Sequence, residues 1–346
     1  MSKSLLMRLC LAVVVVLLCN CNVLIQGLLS TSKCNMRLRR HRHASKLNLF
    51  ENIFDQQQKK QWPKVEVPSD FVIPEPKPLQ ITESTDLVGF ATASAGLALR
   101  LATGAFVLGW QIDSIFADND GKYALQLGPL RIRDSSSVLD ESNKPTQTIV
   151  LYDNESSPAS CKRVREMFNL LDITYECRPA FDNLDSLPYI YDPNMKDDQQ
   201  TIKGDDSIID HLLENYGPST TLYDTKALWP ISFRQFAIVT STLAALLRGN
   251  PGQIQQANAR PDNAEMKPIE LWAYECSPFV RPVKEKLYSL GLPHRIVSCS
   301  RGSSNRDKMV EKTGRFQVPY LVDDNTGIEM FEGAEIVKYL EATYTV

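Results

Sequence analysis

The stretch Ile269-Glu-Leu-Trp-Ala-Tyr-Glu-Cys-Ser-Pro-Phe-Val-Arg-Pro-Val283, followed downstream by Val318-Pro-Tyr320, decides the fold. Ile269 to Tyr274 alternates as a strand. Pro278 stands at a first helical position, and Val283, Leu287 and Leu290 recur at helical spacing until Gly291 caps the helix. Beyond it the pattern predicts a strand over 295–299, a helix over 304–312 and a third strand over 318–322. The Asp-Asp-Asn-Thr-Gly turn at 323–327 leads into a strand over 328–331, and 334–344 closes as an amphipathic helix. The order is βαβαββα.

Sliding the chain against itself by 120 residues reveals a second copy. Ile149-Val-Leu-Tyr152 falls on Ile269-Glu-Leu-Trp272, and Ser157-Pro158 on Ser277-Pro278. Further on, Val164-Arg-Glu166 matches Val283-Lys-Glu285, Leu187-Pro188-Tyr189 matches Val318-Pro319-Tyr320, and Ile208-Ile-Asp-His-Leu212 matches Ile336-Val-Lys-Tyr-Leu340. The upstream copy is shorter, with about 36 residues from Val150 to Leu187 against about 48 between Glu270 and Val318, so its second helix is expected to be largely missing. A mostly apolar helix over 231–247, opened by Pro230 and ended by Gly249 and Pro251, is expected to pack between the copies.

With Ser-Pro at the first helix and Val-Pro opening the third strand, this order resembles the glutaredoxin and glutathione-transferase N-terminal domain family, over about 147–217 and 269–346. Cys276-Ser-Pro-Phe-Val-Arg-Pro-Val283 looks like the Ser-Pro-Phe segment of plant glutathione transferases, and the pairing resembles tandem plastid proteins of plants and algae. The expected fold class is therefore α/β: two thioredoxin-like (βαβαββα) modules in tandem, joined by a helical linker, after a targeting leader and a small N-terminal region. The resemblance implies glutathione, or a thiol-bearing small molecule or protein, as partner.

In glutaredoxin-like members the nucleophile is the first Cys of Cys-Pro-x-Cys, placed where a helix N-terminus stabilises a thiolate. Ser277 and Ser157 occupy that place here, and serine forms no mixed disulfide, so dithiol exchange is excluded. Ser277 has two readings: a hydrogen-bond donor to a bound glutathione thiolate, or an ordinary helix N-cap. The cap reading also applies to Ser157. Cys276 and Cys161, next to these sites, read either as monothiol nucleophiles or as small buried apolar residues.

Pro188 and Pro319 match the family's cis-proline, whose preceding residue, Val318 in the second copy, offers its backbone to the cysteinyl part of glutathione. Phe279 completes the Ser-Pro-Phe segment. The γ-glutamyl end would meet Glu332 and Gly333, where the family's Ser or Thr partner is missing, or Asp205 and Asp206 after Gly204 in the first copy. These acids equally serve the helix dipole. The basic cluster Arg301, Arg306 and Lys308 reads as a site for a glycyl carboxylate or as solvated surface. A transferase also carries an all-helical domain for its second substrate, and one helix at 231–247 is too little to replace it. Two functions stay open: a transferase-like or monothiol enzyme using module 2, and a non-catalytic plastid scaffold that keeps only the fold.

The N-terminal part reads as an address. No Asp or Glu precedes Glu51, while eight of the 38 Lys and Arg lie in residues 1–50. Lys3 and Arg8 precede the apolar run Leu9 to Leu18, the layout of a signal peptide, and an Arg- and Ser-containing segment resembling a transit peptide follows. Plastid targeting is the expectation, with secretion or membrane anchoring as alternatives. The remainder carries 30 basic and 41 acidic residues, net −11, which disfavours nucleic acid. Cys161, Cys177, Cys276 and Cys299 form no metal-ligand or Cys-x-x-Cys spacing, so no metal is expected.

The expected division is 1–50 leader, 51–80 Pro-rich linker, 81–145 unassigned region, 146–217 module 1, 218–268 helix and linker, and 269–346 module 2. Within the unassigned region, 87–110 is expected to form an apolar helix, buried or on a membrane surface, with Arg100 near its middle, and short strands are expected around Gly128 and Pro129.

Overall fold

Apolar side chains every second residue put Ile149, Leu151, Ile269 and Leu271 wholly inside, and these two stretches form the central strands of the two halves of one sheet. The computed structural model describes residues 65–76, 87–118, 120, 122, 125–127, 130–218, 228–261 and 266–346. The leader, 1–50, lies outside the described residues.

After helix α1 (Leu87–Leu99), strands β1 (Trp110–Ser114), β2 (Leu125–Leu127) and β3 (Leu130–Ser136) form a small antiparallel sheet in the order β1-β3-β2. The first half of the main sheet follows as β4 (Ile149–Asp153), α2 (Ser160–Leu170), β5 (Tyr175–Pro179), β6 (Tyr189–Tyr191), β7 (Thr201–Lys203) and α3 (Asp205–Tyr216). Two helices, α4 (Trp229–Ser232) and α5 (Arg234–Leu246), lead to the second half. That half comprises β8 (Ile269–Ala273), α6 (Arg281–Ser289), β9 (His294–Ser298), α7 (Asn305–Thr313), β10 (Tyr320–Asp323), β11 (Ile328–Met330) and α8 (Gly333–Tyr344).

The main sheet runs β11-β10-β8-β9-β5-β4-β6-β7. Each half has one parallel pair, β4 with β5 and β8 with β9, then two antiparallel ones. The halves join edge to edge through antiparallel β5 and β9, with Glu176 opposite Arg295, so neither inner edge is left exposed. Where the second half has α7, the first has only a 3-10 turn, Leu184–Ser186.

Three elements differ from the sequence expectation. The helix expected over 87–110 ends at Leu99: Leu101 (φ 52°) and Ala102 (φ 56°) turn left-handed, and Arg100 swings inward to the Glu166 carboxylate. The Glu166 partner compensates a charge that would otherwise be buried alone. The linker is not free throughout, since Val65 is buried and Phe71 packs on Tyr339 with ring centroids 5.4 Å apart. Finally, α6 starts at Arg281 with Pro282, rather than Pro278, in its first turn.

Helix α1 lies against α5, where Gly96 permits close approach: a Cβ there would stand 3.4 Å from Ala244 Cβ and 3.0 Å from an Arg281 nitrogen. Their arginines are exchanged. Arg100 of the α1 end donates to Thr240 Oγ1 of α5 (2.8 Å), and Arg248 beyond α5 donates to Thr92 Oγ1 of α1 (2.9 Å). Arg100 also grips Glu166 of α2, and Arg248 grips Glu285 of α6. No helix among the described residues is long and apolar enough to cross a membrane.

Candidate functional site

The loop between β8 and α6 carries Ser277, with the Val318–Pro319 segment and the start of α8 as the other two walls. Both Val318–Pro319 and Leu187–Pro188 are cis, as the family pattern implies, and Ser157–Pro158 is cis as well. Gly333 ties the walls together: a Cβ on it would meet the Phe279 carbonyl at 2.7 Å and the Pro319 ring at 3.4 Å. Only glycine lets the α8 start approach that closely.

Two groups at this junction are buried without partners. Ser277 is 1% exposed and its Oγ makes no hydrogen bond. It lies near enough to the Tyr274 phenol to lower that pKa against the larger, raising effect of burial, without bond geometry. Val318 is 6% exposed, and among the described residues no hydrogen bond is made by its backbone N–H or C=O. Buried unpaired polar groups are uncommon and require an explanation. The N-cap reading of the serines is not realised: the N-cap residues are Val280 for α6 and Ala159 for α2, with no side-chain capping bond at either.

Glu332 closes the third wall with φ 72° and accepts from Gln317 Nε2 at 3.0 Å. Phe279, half-buried, packs against the Phe90 ring of α1 with centroids 5.1 Å apart. Cys276, next to Ser277, is partly buried. Burial pushes its thiol up to about 12, with Lys162 opposing and Glu166 and Glu275 adding to the rise. The charges it feels therefore include two from α2, across the junction of the halves.

The first half closes the corresponding N–H on itself. Leu187 N–H donates to Leu184 O (3.1 Å), and Gly204 N–H to Pro188 O (2.9 Å). Asp205, buried at the start of α3, is gripped by Arg163 (2.8 Å) and Arg234 (3.0 Å). Burial raises its pKa, but hydrogen bonds from Arg234 and Arg163 outweigh this and hold the carboxyl below the usual range. An acid so matched has no charge left for a ligand ammonium. Cys161 is fully buried with its pKa raised by burial, and Ser157 is half-buried. Among the described residues no group of three or more His, Cys, Asp or Glu is placed to hold a metal ion.

Beneath the Ser277 loop lies a ring of charges that the sequence did not announce. Glu275 meets Lys162 (3.0 Å) and Arg165 (3.2 Å) of α2 and Lys284 of α6, and its backbone N–H donates to Asn169 Oδ1 (2.6 Å). Glu155, at the same place in the first half, meets Arg165 (3.2 Å) and Lys284 (3.5 Å). The cluster Arg301, Arg306 and Lys308 also departs from expectation. It is not shared surface: Arg306 is 9% exposed, while Lys308 is exposed and pairs with Glu141.

Residues 271–345 match the glutathione S-transferase N-terminal domain. This thioredoxin-like domain is the second half of the sheet, and it contains Ser277, Val318, Pro319, Glu332 and Gly333. The fold around it is mixed α/β, and the match points to a glutathione-binding fold. No curated protein and no solved structure matches the chain significantly.

Proposed function

We propose that the chain is a tandem pair of thioredoxin-like units in which the second binds glutathione and the first holds the second in shape. The carrying observation is the contrast at the cis-prolines: among the described residues the Val318 N–H donates to no backbone or side-chain acceptor, whereas the Leu187 N–H donates to Leu184 O in a 3-10 turn. A cysteinyl backbone laid against Val318 would satisfy its N–H and C=O, and the cysteinyl sulfur would meet the Ser277 hydroxyl, which otherwise lacks a partner. Glu332 would take the γ-glutamyl ammonium.

Each repeat unit includes the helix that precedes it, α1 for the first and α5 for the second. The exchanged arginine contacts support this: Arg100 and Arg248 each bind a Thr on the other helix and a Glu in their own unit. Together α1 and α5 supply more helix than 231–247 alone.

The chemistry of this reading is thiolate stabilisation by Ser277, hence conjugation of the glutathione thiol to an electrophile rather than disulfide exchange, since the Cys276 thiol is protonated at neutral pH. A second reading, binding without turnover, draws on Phe90, which already covers part of the Phe279 ring. The basic, acid-free first fifty residues supply the plastid address in this account.

Amide NMR of the full chain during addition of glutathione tests the reading. Shifts of Val318, Ser277 and Gly333 with Leu187 and Gly204 unmoved are expected; shifts confined to the first unit, or none, would refute it.

A further inference from the structure

A cavity of about 350 Å³ lies between the small sheet and α7, walled by residues such as Asp113, Arg133, Asp134, Lys144, Arg306 and Phe316. Its walls are fixed to one another. Val107 N–H donates to Arg301 O (2.9 Å), and a Cβ on Gly302, at φ +86°, would stand 2.8 Å from both Ser135 O and Val107 Cγ2. The β3 backbone is thereby docked on the loop that precedes α7.

The wall cations are matched with one exception. Lys122 pairs with Glu311, Arg133 with Asp120 (2.7 Å), and Lys144 with Asp172 (3.0 Å) and Glu141 (3.2 Å). Arg306, nine-tenths buried, has no carboxylate within ion-pair distance among the described residues. Its Nε donates to the carbonyls of Cys299 and Ser300 (both 3.1 Å), and its guanidinium stacks over Phe316 at 4.2 Å. These contacts hold the plane, no hydrogen bond is made by its terminal nitrogens among the described residues, and the residue lines the cavity. Asp134 of the same wall attracts this guanidinium from beyond ion-pair distance, so the buried group lacks a direct partner, and a carboxylate is the group its fork fits.

The acids of the wall argue against a simple anion. Asp113 and Asp307 both line the cavity and neither has an ion pair among the described residues; Arg133 and Lys122 offset part of the Asp307 charge, but with Asp134 the wall keeps an acidic side that repels a second negative charge and attracts a positive one. We propose that this cavity binds a small zwitterion of the amino-acid or dipeptide class with a single carboxylate, held on Arg306, and its ammonium toward Asp113 and Asp307. The site is separate from the Ser277 junction and does not depend on glutathione binding there.

The test is calorimetric titration of the full chain with glycylglycine, and with inorganic phosphate as an anion lacking the ammonium. Glycylglycine is expected to bind at one site and phosphate much more weakly. Arg306→Gln is expected to weaken glycylglycine about tenfold or more, in line with loss of a charge-assisted bond. Asp307→Asn, at an exposed position that leaves the fold intact, is expected to weaken it several-fold, and it decides the matter if Arg306→Gln fails to fold. Glutathione, whose second carboxylate would meet the wall acids, is expected to leave glycylglycine affinity unchanged at saturation. The proposal is overturned by no binding at tens of millimolar, by phosphate binding as well as glycylglycine, by affinity unchanged in Asp307→Asn, or by competition from glutathione.

Discussion

The Arg165 guanidinium, fully buried on α2, lies 3.2 Å from the carboxylate of Glu275, two residues before Ser277. The first unit thus grips the loop that carries the candidate site of the second. Lys162 and Lys284 share the same carboxylate, so it serves three buried cations. Glu275→Gln keeps the shape and removes the charge. It is expected to cost about 3–5 kcal/mol in urea unfolding, the range for breaking a buried ionic contact from one side.

That carboxylate also gives a pH dependence. Burial raises its pKa, but Arg165, Lys162 and Lys284 outweigh burial and hold it well below the usual range. The stability it contributes is full above the unfolded value of about 4.3 and is lost as pH falls toward the folded value.

His294 acts at a higher pH. It is wholly buried, its Nδ1 bonds to Leu292 O (2.9 Å), and burial pushes its pKa down to about 4. The native state therefore binds fewer protons than the unfolded chain below the ordinary value of about 6.5. Stability is full above that value and falls as pH drops, by about 2–3 kcal/mol at about pH 4.5. Denaturant melts across this range are expected to show the fall, and His294→Leu is expected to flatten it.

The exchanged arginines predict coupling between α1 and α5. Thr240→Val is expected to cost about 1–2 kcal/mol through its lost bond to Arg100. In a double-mutant cycle with Arg100→Met the two effects should be non-additive, because both remove one contact. Additive costs would mean that the helices dock independently of this bond.

Gly333→Ala probes the junction of the three site walls. The added Cβ would press on the Phe279 carbonyl, which is backbone and cannot rotate away. A loss of about 1–3 kcal/mol is expected, the usual scale for overpacking, together with weaker glutathione binding.

Much of the second half was legible from Ile269 to Tyr344, because each element there carries its own period and its own stop signal, such as Gly291 or the turn at 323–327. The first half was readable only by register against it. What sequence could not give was pairing at a distance. Arg100 is one charge in an apolar run until Glu166, 66 residues away, shows where that charge is matched. Likewise Arg306 looks like surface in a basic cluster, and only the approach of β3 and Phe316 buries it. The unpaired backbone of Val318 has no side-chain signal at all; the Val-Pro dipeptide marked the place but not its openness.

Titration of glutathione into the full chain, with heat and stoichiometry recorded, decides whether the second unit is its site. One site per chain is expected, weakened up to about tenfold by Ser277→Ala, the scale of one hydrogen bond, and unchanged by Asp206→Ala in the first unit. No heat at millimolar glutathione, two sites per chain, or affinity that falls with Asp206→Ala but not with Ser277→Ala would contradict it.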